Sequence, residues 1–482
     1  MIRFLIFYAI FYCNQEKISY LYRQIFIKTT SVMKTIPTLS LLLVLSLLLY
    51  TGCKPKDHHA TMIAEEYILA DPSDVVMYQV NPRVFAPSNS LQAITARIDS
   101  IQDLGVNVLW LMPIYPIGEV KSKNSPYSVK DYKAVAPEYG TIDDLRQLVE
   151  ECHKRDMGVI LDWVANHTAW DNNWLTEHPD WYTHDSAGNI IYPPGTDWTD
   201  VADLNYDNEQ MREAMIDAMR FWVDSVGVDG FRCDVADQVP VEFWSDCIRT
   251  IRSAAAPRGL IMLAEGTNPE NFTAGFDMNY AWEFMGAIDQ VMNGEKVGRL
   301  VNADKREYEK LGRGKFKLRF TTNHDEATKA SPIKQYGGVR ASMAAFVATT
   351  MLHGGMLIYG SQEVGYPETI NFFKYVPVNW SANPELRNEY KKLIHIYNEH
   401  PALRSSGKVS PFDDDEDNIL CVDRVLNNDH VLVIVNVRDA AHSIDLPAMW
   451  AGRNATDLMT GEEKTLPTRI TLNPYQYLIL GK

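Results

Sequence analysis

Cysteine is scarce in this chain. The six found in 482 residues, at positions 13, 53, 152, 233, 247 and 421, have neither the density of a disulfide scaffold nor the paired spacing of a structural metal site. No disulfide framework is expected. Basic residues are also in short supply, 46 Lys and Arg against 62 Asp and Glu, and a net charge of −16 excludes a protein built to bind nucleic acid. The sequence has no internal repeat, and its one low-complexity stretch, Asp413-Asp414-Asp415-Glu416-Asp417, reads as a solvated loop. No apolar run reaches the ~20 residues of a comfortable membrane span. What is plentiful is core material: 46% hydrophobic and 11% aromatic residues rule out disorder and suffice for several domains.

The N-terminus reads as an address label. Met33-Lys34 is followed by the apolar run Leu41 to Leu49 and then by Tyr50-Thr51-Gly52-Cys53, which resembles a bacterial lipoprotein signal. That resemblance implies cleavage before Cys53, lipidation of its thiol and a membrane anchor in the cell envelope. The outer membrane is the expected site, at its surface or its periplasmic face. Residues 1–32 precede the better start at Met33 and are set aside with the signal (1–52), and 53–73 are read as a linker.

From Asp74 to His400, short β-branched runs alternate with longer amphipathic stretches, the pattern of strand, crossover helix and parallel strand. Expected strands are Val75 to Val80, Val106 to Met112, Val159 to Val164, Val228 to Asp234, Leu260 to Glu265, Phe276 to Tyr280, Phe316 to Asn323 and Met356 to Tyr359. Eight such units predict an α/β fold, a closed (β/α)8 TIM barrel over 74–400. The stretch Ala165 to Tyr206 is too long for an ordinary connection and predicts a small lobe inserted after strand three. Beyond Pro401, alternating runs such as Ile419 to Leu426 and Val431 to Val437 predict an antiparallel β-sandwich domain over 401–482.

Catalytic groups of such barrels sit at the C-terminal ends of strands, and the tips here are acidic. Strand three ends in Asp162-Trp163-Val164-Ala165-Asn166-His167, strand four in Gly230-Phe231-Arg232-Cys233-Asp234, strand five in Ala264-Glu265 and strand seven in Thr322-Asn323-His324-Asp325. A lone buried carboxylate could be a structural ion pair; four strands ending this way argue for a site. Arg232 and Asp234, two apart, point to the same face, so the guanidinium is expected to hold Asp234 ionised as a nucleophile. Glu265 follows the apolar run Leu260 to Ala264, where desolvation is expected to raise its pKa and suit it to general acid work. Two carboxyls so divided are what glycosidic cleavage requires, with Asp325 as a third charge for an oxocarbenium-like transition state.

These four motifs, in this order and at these barrel positions, resemble the α-amylase superfamily, glycoside hydrolase family 13, over roughly Asp74 to Lys482. The resemblance implies Asp234 as nucleophile, Glu265 as general acid/base and Asp325 as transition-state stabiliser. His167 and His324 would bind hydroxyls of the reacting sugar, Arg232 would orient Asp234, and Asp162 would support the site. Tyr127, in Ser125-Pro126-Tyr127-Ser128, falls where the family places an aromatic platform under the glucose. The family's structural calcium would involve Asn166, with Asp200 or Asp203 as oxygen donors; the position four after the nucleophile, often His, is Gln238 here, and no cofactor is otherwise required.

The expected activity is therefore retaining hydrolysis of starch, maltodextrin or malto-oligosaccharides. Val235 and Asp237, after the nucleophile, point toward the neopullulanase, cyclomaltodextrinase and oligo-1,6-glucosidase groups, so α-1,4 and α-1,6 cleavage both stay open. A 4-α-glucanotransferase and a non-catalytic glucan-binding lipoprotein are the alternatives, the latter opposed by the presence of all three acids.

Overall fold

The computed structural model describes residues 67–309, 311–412 and 417–482. The lipoprotein signal, Cys53 and all but the last residue of the acidic run at 413–417 lie outside the described residues. Eight parallel strands close into a barrel in sequence order: β1 (Val76–Val80), β2 (Val108–Leu111), β3 (Gly158–Trp163), β4 (Gly230–Cys233), β5 (Ile261–Ala264), β6 (Met278–Tyr280), β7 (Phe316–Arg319) and β8 (Gly355–Tyr359), with β8 pairing back to β1. The expected barrel is confirmed.

Alternation along each strand sorts side chains into two separate cores. Met77, Trp110, Ile160, Leu263, Met278 and Leu357 fill the barrel interior. Their neighbours Val76, Leu109, Val159, Phe231, Cys233 and Met262 face outward against the helices. Burial on both faces explains why these strands read as continuous apolar runs. Helices take their cue from caps: Thr141 and Asp144 form a capping box ahead of Ile142–His153, and Asn208 caps Glu209–Ser225. The seventh strand was expected to reach Asn323 but leaves the ladder at Arg319. The Asn323 side-chain oxygen accepts from the backbone N–H of both Asp325 and Glu326, at 2.9 Å each, and so turns the chain toward the barrel mouth.

The lobe after β3 is built on a two-stranded ribbon, His167–Ala169 with Val201–Asp203, over a small aromatic cluster in which Trp174 meets Trp181 edge-on at 5.3 Å. Beyond the barrel, a six-stranded antiparallel sheet and a two-stranded pair share a core around the buried Trp450. Arg424 of this domain is fully buried, and its guanidinium donates to the carbonyls of Met351 and Leu352 at the end of the helix Val339–Thr350. A cation at a helix C-terminus satisfies carbonyls the helix itself cannot.

Candidate active site

Four strand ends converge on one guanidinium. Arg232, buried inside β4, places Nη1 2.6 Å from Asp162 Oδ1 and 2.9 Å from Asp234 Oδ1. Its Nη2 lies 2.7 Å from Glu265 Oε2, an ion contact without the alignment of a hydrogen bond, and Nε donates to the Tyr280 hydroxyl. β4 can approach β5 this closely because it starts on Gly230, where an added Cβ would stand 1.8 Å from the Ile261 carbonyl oxygen. Asp162 is held further by Trp110 Nε1 and the Tyr127 hydroxyl, each donating to Oδ2 at 3.1 Å.

A second network supports Tyr127. Its ring stacks on His324 with centroids 5.4 Å apart, and its hydroxyl oxygen lies 2.7 Å from His324 Nε2. Gln79, from β1, donates to His324 Nδ1 at 2.8 Å, so Nε2 carries the ring proton and donates to Tyr127, which in turn donates to Asp162. Each polar group thereby fixes the next. Asp325 stands in the open, its side chain 41% exposed, and His167 meets Trp198 edge-on. A cavity of about 270 Å³ brings Asp234, Glu265 and Asp325 together with Tyr127, His167 and His324.

The backbone at Val235 is left-handed, with φ of 37°, a conformation rarely tolerated by a β-branched residue. Its N–H donates to Glu265 Oε2 at 2.8 Å, so the strain at this turn serves to fix the acid beside Asp234.

Electrostatics depart from the sequence-based assignment of the two carboxyls. Asp234 was expected to be held ionised by Arg232; burial instead pushes its pKa well up, with Arg232 opposing and the carboxylates of Glu265, Asp162 and Asp325 adding to the rise. Glu265 was expected in apolar surroundings; it sits instead against the guanidinium and the Val235 N–H. The apolar run before it divides between the barrel interior, with Ile261 and Leu263, and the outer core, with Leu260, Met262 and Ala264. Asp162 is pushed up to about 6 by burial, against the pull of Arg232. Burial and the crowding of carboxylates around one cation thus favour the protonated forms of Asp162 and Asp234.

Burial drives both imidazoles the other way, His167 down to about 4 and His324 to about 3, so both are neutral from pH 5 upward. His167→Asn is expected to lower kcat/KM about tenfold or more while leaving the limbs of the pH profile above pH 5 where they were. A limb displaced by a full pH unit would make His167 a titrating participant.

Two of the groups considered for calcium are engaged in other contacts and a third is exposed. Asp200 is engaged by the Lys123 ammonium at 3.1 Å, the Asn166 amide lies 3.3 Å from His167 Nδ1, and Gln238 is exposed. Among the described residues no cluster of three or more His, Cys, Asp or Glu could hold a metal ion. Of the other expected site residues, Asp234, Glu265, Asp325, Tyr127, His167 and His324 line the cavity, Arg232 and Asp162 lie buried beneath it, and Cys53 lies outside the described residues. Sequence reasoning missed Gln79, Trp110 and Tyr280, which support the site from beneath. A signal existed for Gln79: one polar side chain in the otherwise apolar strand Val76-Met77-Tyr78-Gln79-Val80.

Comparison with known proteins bears out the family and the fold. The family described as the α-amylase catalytic domain matches residues 79–406, and the maltogenic amylase C-terminal domain matches residues 412–479. The chain belongs to the α-amylase family. It is 30% identical over 417 residues to an α-amylase of Haloarcula japonica, covering 81% of this chain and 58% of that protein. A probable oligo-1,6-glucosidase of Bacillus subtilis is 33% identical over 196 residues, 33% of this chain and 34% of the relative. The chain thus spans little more than half the length of the first of these curated relatives and a third of the second. Among solved structures, a noncanonic maltogenic α-amylase from Thermotoga neapolitana superposes with a TM-score of 0.78 at 25% identity, and an α-amylase from Lactobacillus plantarum with 0.77 at 26%. Each covers 86% of this chain and 99% of the other.

Proposed function

We propose that this protein is a retaining α-glucan hydrolase acting on starch, maltodextrin or malto-oligosaccharides. One observation carries the reading: carboxyls from β4, β5 and the end of β7 line a single cavity, and the first two share the Arg232 guanidinium. A shared cation suits the close pairing, about 5–5.5 Å, of double displacement. Asp234 attacks the anomeric carbon as Glu265 gives a proton to the departing oxygen. Water activated by Glu265 then releases the sugar with its α configuration. Asp325 stabilises the positive charge at the ring, Tyr127 stacks on the sugar's C–H face, and His167 and His324, neutral, hydrogen-bond its hydroxyls. No step draws on a metal.

The α-1,6 reading keeps specific support in Val235 beside the acids and in the likeness to an oligo-1,6-glucosidase. A reducing-sugar assay on soluble starch, maltotriose and pullulan ranks the linkages; activity on none of them would overturn the hydrolase reading in favour of a binding protein. Excess maltose as acceptor separates a glucanotransferase by its longer products. The sequence Tyr50-Thr51-Gly52-Cys53 supports a lipid anchor on Cys53 and a place in the outer membrane. Cys53→Ser is the direct test, with the protein leaving the membrane fraction.

A further inference from the structure

One side of the barrel mouth is walled by a rim of tied loops. Arg83, just after β1 and only 4% exposed, donates through Nη1 to the backbone oxygens of Asn124 at 2.9 Å and Phe372 at 3.0 Å. These belong to the loops after β2 and β8. Nη2 of Arg83 donates to Asn124 Oδ1 at 3.2 Å, and Glu138 engages Nε and Nη2 at 3.2 and 2.6 Å. Asn124 Nδ2 then donates to the Phe373 carbonyl at 2.5 Å. At the next position along, the Lys123 ammonium lies 3.1 Å from Asp200 Oδ1 on the inserted lobe. The rim therefore runs unbroken from the β8 loop past β1 and β2 to the lobe. Phe372 packs behind it against Tyr127 and His324, with centroids 5.8 and 5.6 Å apart.

The place of this rim in the barrel gives it meaning. In the closed ring of strands β1 stands directly across from β5, so the wall faces Glu265 over the cavity. On the hydrolase reading, Glu265 protonates the oxygen of the departing chain, which must leave on its own side of the mouth. The glucose that stays behind then points its 4-hydroxyl, where a longer chain would continue, at the wall. Charge-assisted hydrogen bonds from the buried Arg83 hold that wall in place, and a polymer has to displace it in order to thread through.

We propose that the Arg83 rim ends the sugar-binding cleft on the retained side, so that the enzyme removes the last one or two glucose units from non-reducing chain ends and does not cut within chains. Arg83 acts as a positioning residue: it touches no substrate and, with Asn124, fixes Phe372 and Phe373, which line the cavity and do the blocking. The inference rests on the hydrolase reading and adds to it the direction and depth of attack.

The test compares maltoheptaose with maltoheptaose whose terminal non-reducing 4- and 6-hydroxyls are bridged by an ethylidene group, following products by chromatography from the earliest times. The free sugar is expected to yield glucose or maltose first, and the blocked sugar to react about tenfold more slowly or worse. Asn124→Ala, which cuts the tie to Phe373 and weakens that to Arg83, is expected to raise the blocked-to-free rate ratio about threefold or more. A general loss of folding would lower both rates and leave that ratio unmoved. Equal rates on the two sugars, or maltotriose and maltotetraose as first products, would overturn the proposal, as would an unchanged ratio in folded Asn124→Ala for the rim's role. Hydrolysis of neither sugar would instead overturn the hydrolase reading beneath it.

Discussion

Asp234→Asn is expected to lower kcat by about four orders of magnitude or more, because the amide keeps the shape of the carboxylate and loses its nucleophilicity. The fold will survive, and Tm should hold or rise. Asp234 is buried beside Glu265 and Asp162, and burial with like charges already pushes its pKa well up. Removing one of several crowded carboxylates relieves repulsion that the native site retains for chemistry. Affinity for malto-oligosaccharides, measured by calorimetry, is expected to persist, since Tyr127, His167 and His324 stay in place. A variant that hydrolyses starch at even a few per cent of the native rate would remove Asp234 from its role.

The second large effect is expected at Arg232. Among the described residues its guanidinium is the one cation that meets Asp162, Asp234 and Glu265. Arg232→Leu leaves them buried without their cation, a loss of about 3–5 kcal/mol by analogy with broken buried pairs. The pH dependence of that loss has a definite sign. A carboxyl whose pKa is raised in the folded state binds protons that the unfolded chain has already released, so its folded form loses ground as pH rises. For Asp162 in the native protein the window runs from the ordinary carboxyl value to about 6. Without Arg232 the window extends upward, and the Tm deficit of the variant is expected to grow steadily between pH 5 and pH 8. A deficit that is constant or shrinks with pH would mean that the guanidinium serves packing and not charge.

How much of this was legible in the sequence depends on the range of the interactions involved. Alternation is local, so the eight strands and the inward face shared by Arg232 and Asp234 could be read from spacing, and the barrel's closure followed. The motifs at the strand ends placed Asp234, Glu265 and Asp325 at one mouth because strands in a parallel barrel all deliver their tips to the same end. What spacing does not carry is which long side chain crosses the barrel to which partner. Glu265 follows an apolar run, yet those residues are buried in the barrel wall while its own carboxylate turns to Nη2 of Arg232, whose Nη1 meets Asp234. The expectation that Arg232 would hold Asp234 ionised therefore failed, because burial and the neighbouring carboxylates outweigh the guanidinium. The end of β7 was misplaced because the segment from Phe320 to Asn323 continues buried but unpaired beyond the ladder, and Asn323 then turns the chain with its side chain. Arg83 carried no sequence signal at all: its partners, Asn124 and Phe372, are 41 and 289 residues away.

The central claim, that Asp234 forms the bond to sugar, is tested most directly by trapping. A glucosyl fluoride with a second fluorine on its ring forms the glycosyl-enzyme faster than water releases it, and peptide mapping by mass spectrometry then locates the adduct. The account predicts the added mass on the peptide containing Asp234, and none in Asp234→Asn. A label on Glu265 or Asp325 would contradict it.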